Sequence, residues 1–261
     1  MARIRPNELV ADACVGLLGR RVRGLSWTGR ELSWVDARAR RLQLGRMTEL
    51  GPRHVATLGV DGRAVGAVAT RDGWVVAGEP VLLRRDGRVL PLEFPPADGV
   101  WCDPAGRLWL GTEDTLYRVD LSGSVHPVLS GPTHGLAWSP DTTVLFRVGA
   151  DGLVAHRFDL ANGTIGAERG LVPDARGVAV DIDGFVWVAA GDTVRRIDHT
   201  GTSYTIVRLP DAADCCFAGP TMLITTGDGT VHACDAGVRG QPAVRWMGLP
   251  RRGRAVPRPV L

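Results

Sequence analysis

His134 stands immediately before Gly135 in the stretch PTHGLAWSPD, and imidazole, which titrates near neutrality, is the side chain best suited to accept and return a proton. Arg23 and Arg176 each precede a glycine in the same way. Their guanidinium forks match the oxygens of a carboxylate, phosphate or enolate, and two of them at one concave site can stabilise a developing oxyanion. Asp98 precedes Gly99, and Asp214 with Cys215 occupies the corresponding place near the end of the chain. Taken as one site, His134, Asp98 and Asp214 are the candidate catalytic groups, and Arg23, Arg176 and Cys215 the candidate substrate-binding groups. The partner such a site fits is a small molecule, anionic or carrying a carbonyl. The same residues admit a structural use, in which Arg23 with Asp98, or Arg176 with Asp214, pair as ions across an emptied channel. Cys215 reads as a buried small apolar residue rather than a nucleophile, because thiols between the strands of an all-β core are usually inert.

For residues so far apart in sequence to meet, the chain must repeat. Short apolar runs (RLWLGT, VLFRVG, FVWVAA, MLITTG) each follow a turn (DPAG, SPDT, DIDG, FAGP) and lead through a second turn into another alternating run such as TLYRVDLSG or TVRRIDHTG. These are strands joined by tight turns, with almost no helical periodicity. The residue-plus-glycine steps at Arg23, Val65, Asp98, His134 and Arg176, with the neighbourhood of Asp214 as a sixth, set a repeat of 33 to 42 residues, the length of a propeller blade. Six steps predict an all-β, six-bladed β-propeller of four-stranded antiparallel blades, a single domain over residues 1–246 followed by a basic, proline-rich tail at 247–261. The run LVADACVG, near residues 9 to 16, is expected to form the outer strand of the last blade and close the ring, so that no sheet edge stays open. Because the innermost strands of a propeller run along its axis, the six anchor residues should gather at one mouth of the channel. Trp27, Trp101, Trp138 and Trp187 recur at repeat phases and are expected in the core.

These segments resemble the SMP-30/gluconolactonase/luciferin-regenerating enzyme family, to which regucalcin belongs. RGLSWTGRELSWVD is similar to the family's E-G-P-x-W opening with its L-x-W-x-D strand, ADGVWCDPAGRLWLGT to N-D-G-x-x-D-P-x-G-R-x-W-x-G-T, and HGLAWSPD to N-G-L-x-W-S-x-D. RGVAVDIDGFVWVA and CCFAG with LITT are similar to the motifs of the last two blades. The resemblance implies a divalent cation held at the channel mouth by a Glu, an Asn and an Asp, where it activates water and polarises a lactone or ester carbonyl. Those three positions are here Arg23, His134 and Arg176. Guanidinium has no lone pair to give and repels a cation, so no metal and no other cofactor is expected. The family's substrate-side Arg and Asn correspond to Pro95 and Ala97, and the loop that usually follows G-T is missing, since Thr112 runs at once into EDTLYRVD. Of that cluster only Asp98 remains. Asp174, two residues before Arg176, could enter the mouth only if the local register shifted.

Composition narrows the remaining classes. The net charge of +3 rests on arginine alone, with no lysine in the chain, and the basic residues are scattered, so neither nucleic acid nor a membrane is an expected partner. Five cysteines without a CxxC pair argue against a disulfide framework, and Glu8 and Asp12 interrupt any apolar leader; the expectation is a soluble, cytoplasmic protein. His54, His126, His156, His199 and His232 show no ligand spacing and receive no functional role. Three readings follow: a metal-independent enzyme on a lactonase-like propeller (hydrolase, lyase, isomerase or cyclase, in a biosynthetic pathway), a metal-dependent lactone hydrolase with substitute ligands, and a non-catalytic propeller that binds a ligand or protein.

Overall fold

Tight turns every five to ten residues forbid long elements, and the β-branched, leucine and tryptophan content of the intervening runs favours pleated strands that bury both faces. A computed structural model, which describes residues 6–14, 19 and 21–248, shows that outcome. Every regular element among the described residues is a strand, and the strands form six sheets arranged as a six-bladed β-propeller. The innermost strands are Val22–Trp27, Arg63–Ala69, Gly99–Cys102, Gly135–Trp138, Ala175–Val180 and Ala212–Ala218, belonging to blades 1 to 6 in that order. Blades 1 to 4 are four-stranded and antiparallel, each strand pairing with its neighbour in sequence.

Closure comes from the N-terminal segment. Asp12–Ala13 pairs antiparallel with Val231–Asp235, the last strand of blade 6, and the Cys14 amide continues the ladder to the Val231 carbonyl at 2.8 Å; residues 15 and 16 of the expected strand lie outside the described residues. One feature departs from the four-stranded plan. Asn7–Leu9 pairs in parallel with Ser203–Arg208, giving blade 5 a fifth strand, which covers an outer edge that would otherwise present unpaired backbone groups.

Between the blades lies a continuous series of apolar contacts. Trp34, Trp109 and Trp187 are fully buried. Two of them share a device: Asp103 and Asp181, both inaccessible to solvent, accept the indole N–H of Trp109 and Trp187 at 3.0 and 2.9 Å and the Nε of Arg107 and Arg196 at 2.6 and 2.8 Å. Their second carboxylate oxygens hold the amides of the turn that follows. DPAGRLW and DIDGFVW therefore fold alike, each carboxylate tying turn, strand and core together. Trp138 and Trp187 are core residues as expected, whereas Trp27 and Trp101 are only half-buried and line the central cavity.

After the last strand, residues 240–247 cross the face of the ring on which the innermost strands end. Their amides or side chains donate to the carbonyls of Trp27, Ala69, Gly106, Trp138, Val180 and Gly219, one from each blade. Trp246, 1% exposed, packs into the core between blades 2 and 3, and Arg245 is anchored on the Thr70 carbonyl and Glu31. The proline-rich stretch from 249 onward lies outside the described residues.

Candidate functional site

The strap lines the central channel at the end where the innermost strands finish, and the candidate residues lie at the other end, where those strands begin. The chain enters four of these strands through irregularities: the pairing register shifts between Arg23 and Ser26, Ala64 and Gly66, Ala175 and Gly177, and Ala212 and Asp214. Such bulges re-aim side chains, here at the anchor positions. The glycines beside the anchors allow the blades to approach. A Cβ at Gly24 would fall 2.7 Å from the Gly66 Cα, and one at Gly177 would fall 2.5 Å from the Cα and Oδ1 of Asp214. Backbone meets backbone there, and no side chain fits.

All six candidate residues, Arg23, Asp98, His134, Arg176, Asp214 and Cys215, line one cavity of about 420 Å³. Blade order places Arg23 across the axis from His134, Asp98 across from Asp214, and Val65 across from Arg176. Asp174 does not line the cavity; it is exposed on the turn before blade 5.

The ion pairs differ from both structural expectations. Asp98 pairs with Arg63 of blade 2, and Arg176 with Asp211, at 2.6 Å, on the turn into blade 6. Arg23 consequently has no carboxylate partner among the described residues. Partial burial and the fields of Arg21 and Arg63 lower its pKa, in that order of weight, which makes the blade 1 side of the mouth a concentration of positive charge. Asp214 is the opposite case. Its carboxylate is wedged against Gly177 and accepts the adjacent Cys215 amide at 2.8 Å, and among the described residues no cation offsets its burial, so desolvation pushes its pKa up to about 7. Cys215 is 4% exposed, its thiol donates to the Trp187 carbonyl at 3.5 Å, and burial raises its pKa well above the usual thiol value; it forms wall and presents no nucleophile.

His134 is exposed in the mouth, and its backbone is fixed. Its amide donates to the Val148 carbonyl at 2.8 Å, while Arg147 grips the preceding loop, donating to the Thr133 hydroxyl and to the carbonyls of Ser130, Gly131 and Pro132 at 2.9 to 3.2 Å. Arg63, Asp211 and Arg147 were not singled out from the sequence. Arg63 lies two residues before the Val65 anchor, but the bulge between Ala64 and Gly66 breaks the alternation that would have pointed to it. Asp211 and Arg147 act through turns whose path no periodicity reveals.

Whether a divalent cation could sit here is decided by the donors. Of Arg23, His134 and Arg176 only the imidazole has a lone pair to give, the neighbouring carboxylates Asp98 and Asp211 are engaged by arginines, and among the described residues no three of His, Cys, Asp and Glu converge. The residues do not fit a hard cation, which needs several oxygen ligands.

Fold and site together define a six-bladed propeller with a central pocket. Residues 23–228 match the profile of the SMP-30/gluconolactonase/LRE-like region, and the chain belongs to that family. A Bacillus subtilis protein, YvrE, described as a candidate sugar lactone lactonase, is 28% identical over 119 residues, or 37% of this chain; the match spans 40% of that relative's length. Among solved structures, a luciferin-regenerating enzyme superposes with a TM-score of 0.79 at 18% identity over 92% of this chain and all of its own. Regucalcin of Agrobacterium tumefaciens, a calcium-binding protein, gives 0.74 at 17% over 96% of this chain and all of its own. A gluconolactonase of Xanthomonas campestris gives 0.70 at 20% over 90% and 99%. At these identities the structural likeness speaks for the fold alone.

Proposed function

We propose that this protein is a metal-independent enzyme that hydrolyses a small carbonyl compound, an ester or lactone, by acid–base catalysis in the channel mouth. The observation that carries the reading is one cavity in which a desolvated carboxyl, an imidazole and an acid-free arginine face one another around a ring. A carboxyl with a pKa near the working pH is an effective proton carrier. In this scheme a water oxygen adds to the carbonyl carbon as the Asp214 carboxylate takes its proton, and the negative charge collects on the carbonyl oxygen towards Arg23; the carbon–oxygen bond to the leaving group then breaks as His134, entering as imidazolium, gives a proton to the departing oxygen, after which Asp214 releases its proton to solvent and the imidazole takes one up. A preorganised guanidinium supplies the stabilisation that an oxyanion hole or a Lewis acid supplies elsewhere. Arg176, held by Asp211, orients an anionic substituent, and Asp98, held by Arg63, shapes the rim across from Asp214; Cys215 lines the wall. Lactone-hydrolysing relatives support the reaction class, and five free cysteines suit a cytoplasmic setting.

The test is turnover of a panel of lactones and esters in chelator-containing buffer. His134→Ala and Asp214→Asn should each lower kcat by about a hundredfold or more with the melting temperature preserved or raised, and kcat/KM should rise as pH increases through about 7. Unchanged turnover in both variants, or activity that appears only on adding a divalent cation, would overturn the reading; a panel bound but never turned over would favour a non-catalytic binding propeller.

A further inference from the structure

Below its charged mouth the cavity changes character. Two residues past the anchors along the innermost strands come Leu25, Ala67, Val100, Leu136, Val178 and Cys216, with Phe217 next in blade 6; the half-buried rings of Trp27 and Trp101 also line the cavity, and the strap supplies Pro242, Ala243 and Val244. Polar side chains at this depth are few: Ser26, and Gln241, whose amide is already committed to the Trp138 carbonyl at 3.2 Å. The hydroxyls of a polyhydroxylated sugar derivative would find few side-chain partners against this wall, and each one left without a partner carries a cost. An aliphatic or aromatic body would instead shed water there. From Arg23 to Trp27 the strand advances four residues, so the depth from mouth to floor is roughly 13 Å, several methylenes long.

We infer that the pocket takes an amphipathic small molecule, with its carbonyl or anionic head at the mouth and an unsubstituted apolar body standing on the strap, and that the strap sets the permitted length. The position of the head rests on the proposed function; the apolar body does not. The strap is therefore part of the specificity determinant, with Ala243 at the floor facing the end of the body.

Titration calorimetry with the full chain tests this, using acetate, butanoate, hexanoate and octanoate as unreactive probes, gluconate as the hydroxylated counterpart of hexanoate, and the matching alcohols as neutral controls. Affinity should rise about fourfold per methylene, hexanoate should bind at least tenfold more tightly than gluconate, and Ala243→Leu should weaken octanoate more than butanoate. Butanoate binding and the melting temperature report that the variant has folded. Gluconate binding as well as hexanoate, affinity flat with chain length, or no binding in either series would overturn the inference. Length dependence shared equally by acids and alcohols would keep the apolar body while removing the anionic head, and with it the role given to Arg23. Length dependence in ligands whose esters are never hydrolysed would keep the pocket assignment and remove the proposed reaction alone.

Discussion

Replacing Asp214 by asparagine should stabilise the protein at alkaline pH and hardly at all in acid. The carboxyl goes from an ordinary 3.8 in the unfolded chain to about 7 in the fold because it is desolvated against Gly177 without a compensating cation. A raised carboxyl pKa means that the folded state keeps a proton the unfolded state has lost, so stability falls as pH climbs from about 4 to about 7 and the penalty is complete above that. At about 1.4 kcal/mol per pH unit the whole displacement corresponds to about 4 kcal/mol; the side chain is partly open to the cavity, and about half of that, ~2 kcal/mol, is expected. Asparagine keeps the shape and the acceptor for the Cys215 amide but never ionises. Urea unfolding of both proteins at pH 4, 6 and 8 measures the effect, and the difference between them cancels every other titrating group. The variant's advantage should grow by ~2 kcal/mol across that range. A difference constant with pH would refute the desolvation of Asp214 and remove the basis for its role as proton carrier.

Other perturbations reach other parts of the account. Asp103→Ala leaves the buried Arg107 charge without its counter-ion, though its guanidinium still donates to the Leu160 and Ala161 carbonyls, and leaves the Trp109 indole N–H without its acceptor; it should cost about 3–5 kcal/mol in the same unfolding assay. His156 is 1% exposed and burial, ahead of the opposing field of Glu168, lowers its pKa; stability should therefore fall as pH drops below about 6.5, and His156→Leu should remove part of that acid sensitivity. Arg147→Met strips the four hydrogen bonds that hold the loop before His134, and should cost ~2 kcal/mol of stability and lower kcat more than it raises KM. Trp246→Ala should cost about 3–5 kcal/mol and release the strap, measured as faster amide exchange at Ala243 and Met247.

What the chain disclosed in advance, and what it withheld, follows the range of each physical effect. The strands, the six blades and the gathering of Arg23, Asp98, His134, Arg176, Asp214 and Cys215 around one cavity were legible, because period-two alternation and a repeat of 33 to 42 residues are local patterns that fix where the innermost strands begin. Ion-pair partners were not. Arg63 takes Asp98 and Asp211 takes Arg176, choices set by the lateral offset of neighbouring blades and by turn geometry, neither of which leaves a periodic mark. The strap was invisible for a similar reason: GQPAVRWM has no alternation to announce it, and only the size of Trp246 marks a side chain that needs a place in the core. Asn7–Leu9 joins blade 5 in parallel by covering an edge whose openness is a property of the assembled ring.

The mouth built from Arg23, His134 and Arg176 should receive an anion where the family resemblance implies a cation. Titration calorimetry of chelator-treated protein, with calcium chloride in one series and hexanoate in another, addresses this most directly, repeated on Arg23→Ala. Calcium should not bind at micromolar concentrations, and hexanoate binding should weaken about tenfold or more when the guanidinium is removed, the worth of a charge-assisted hydrogen bond. Stoichiometric micromolar calcium binding that is lost in His134→Ala, or hexanoate binding indifferent to Arg23, would contradict this.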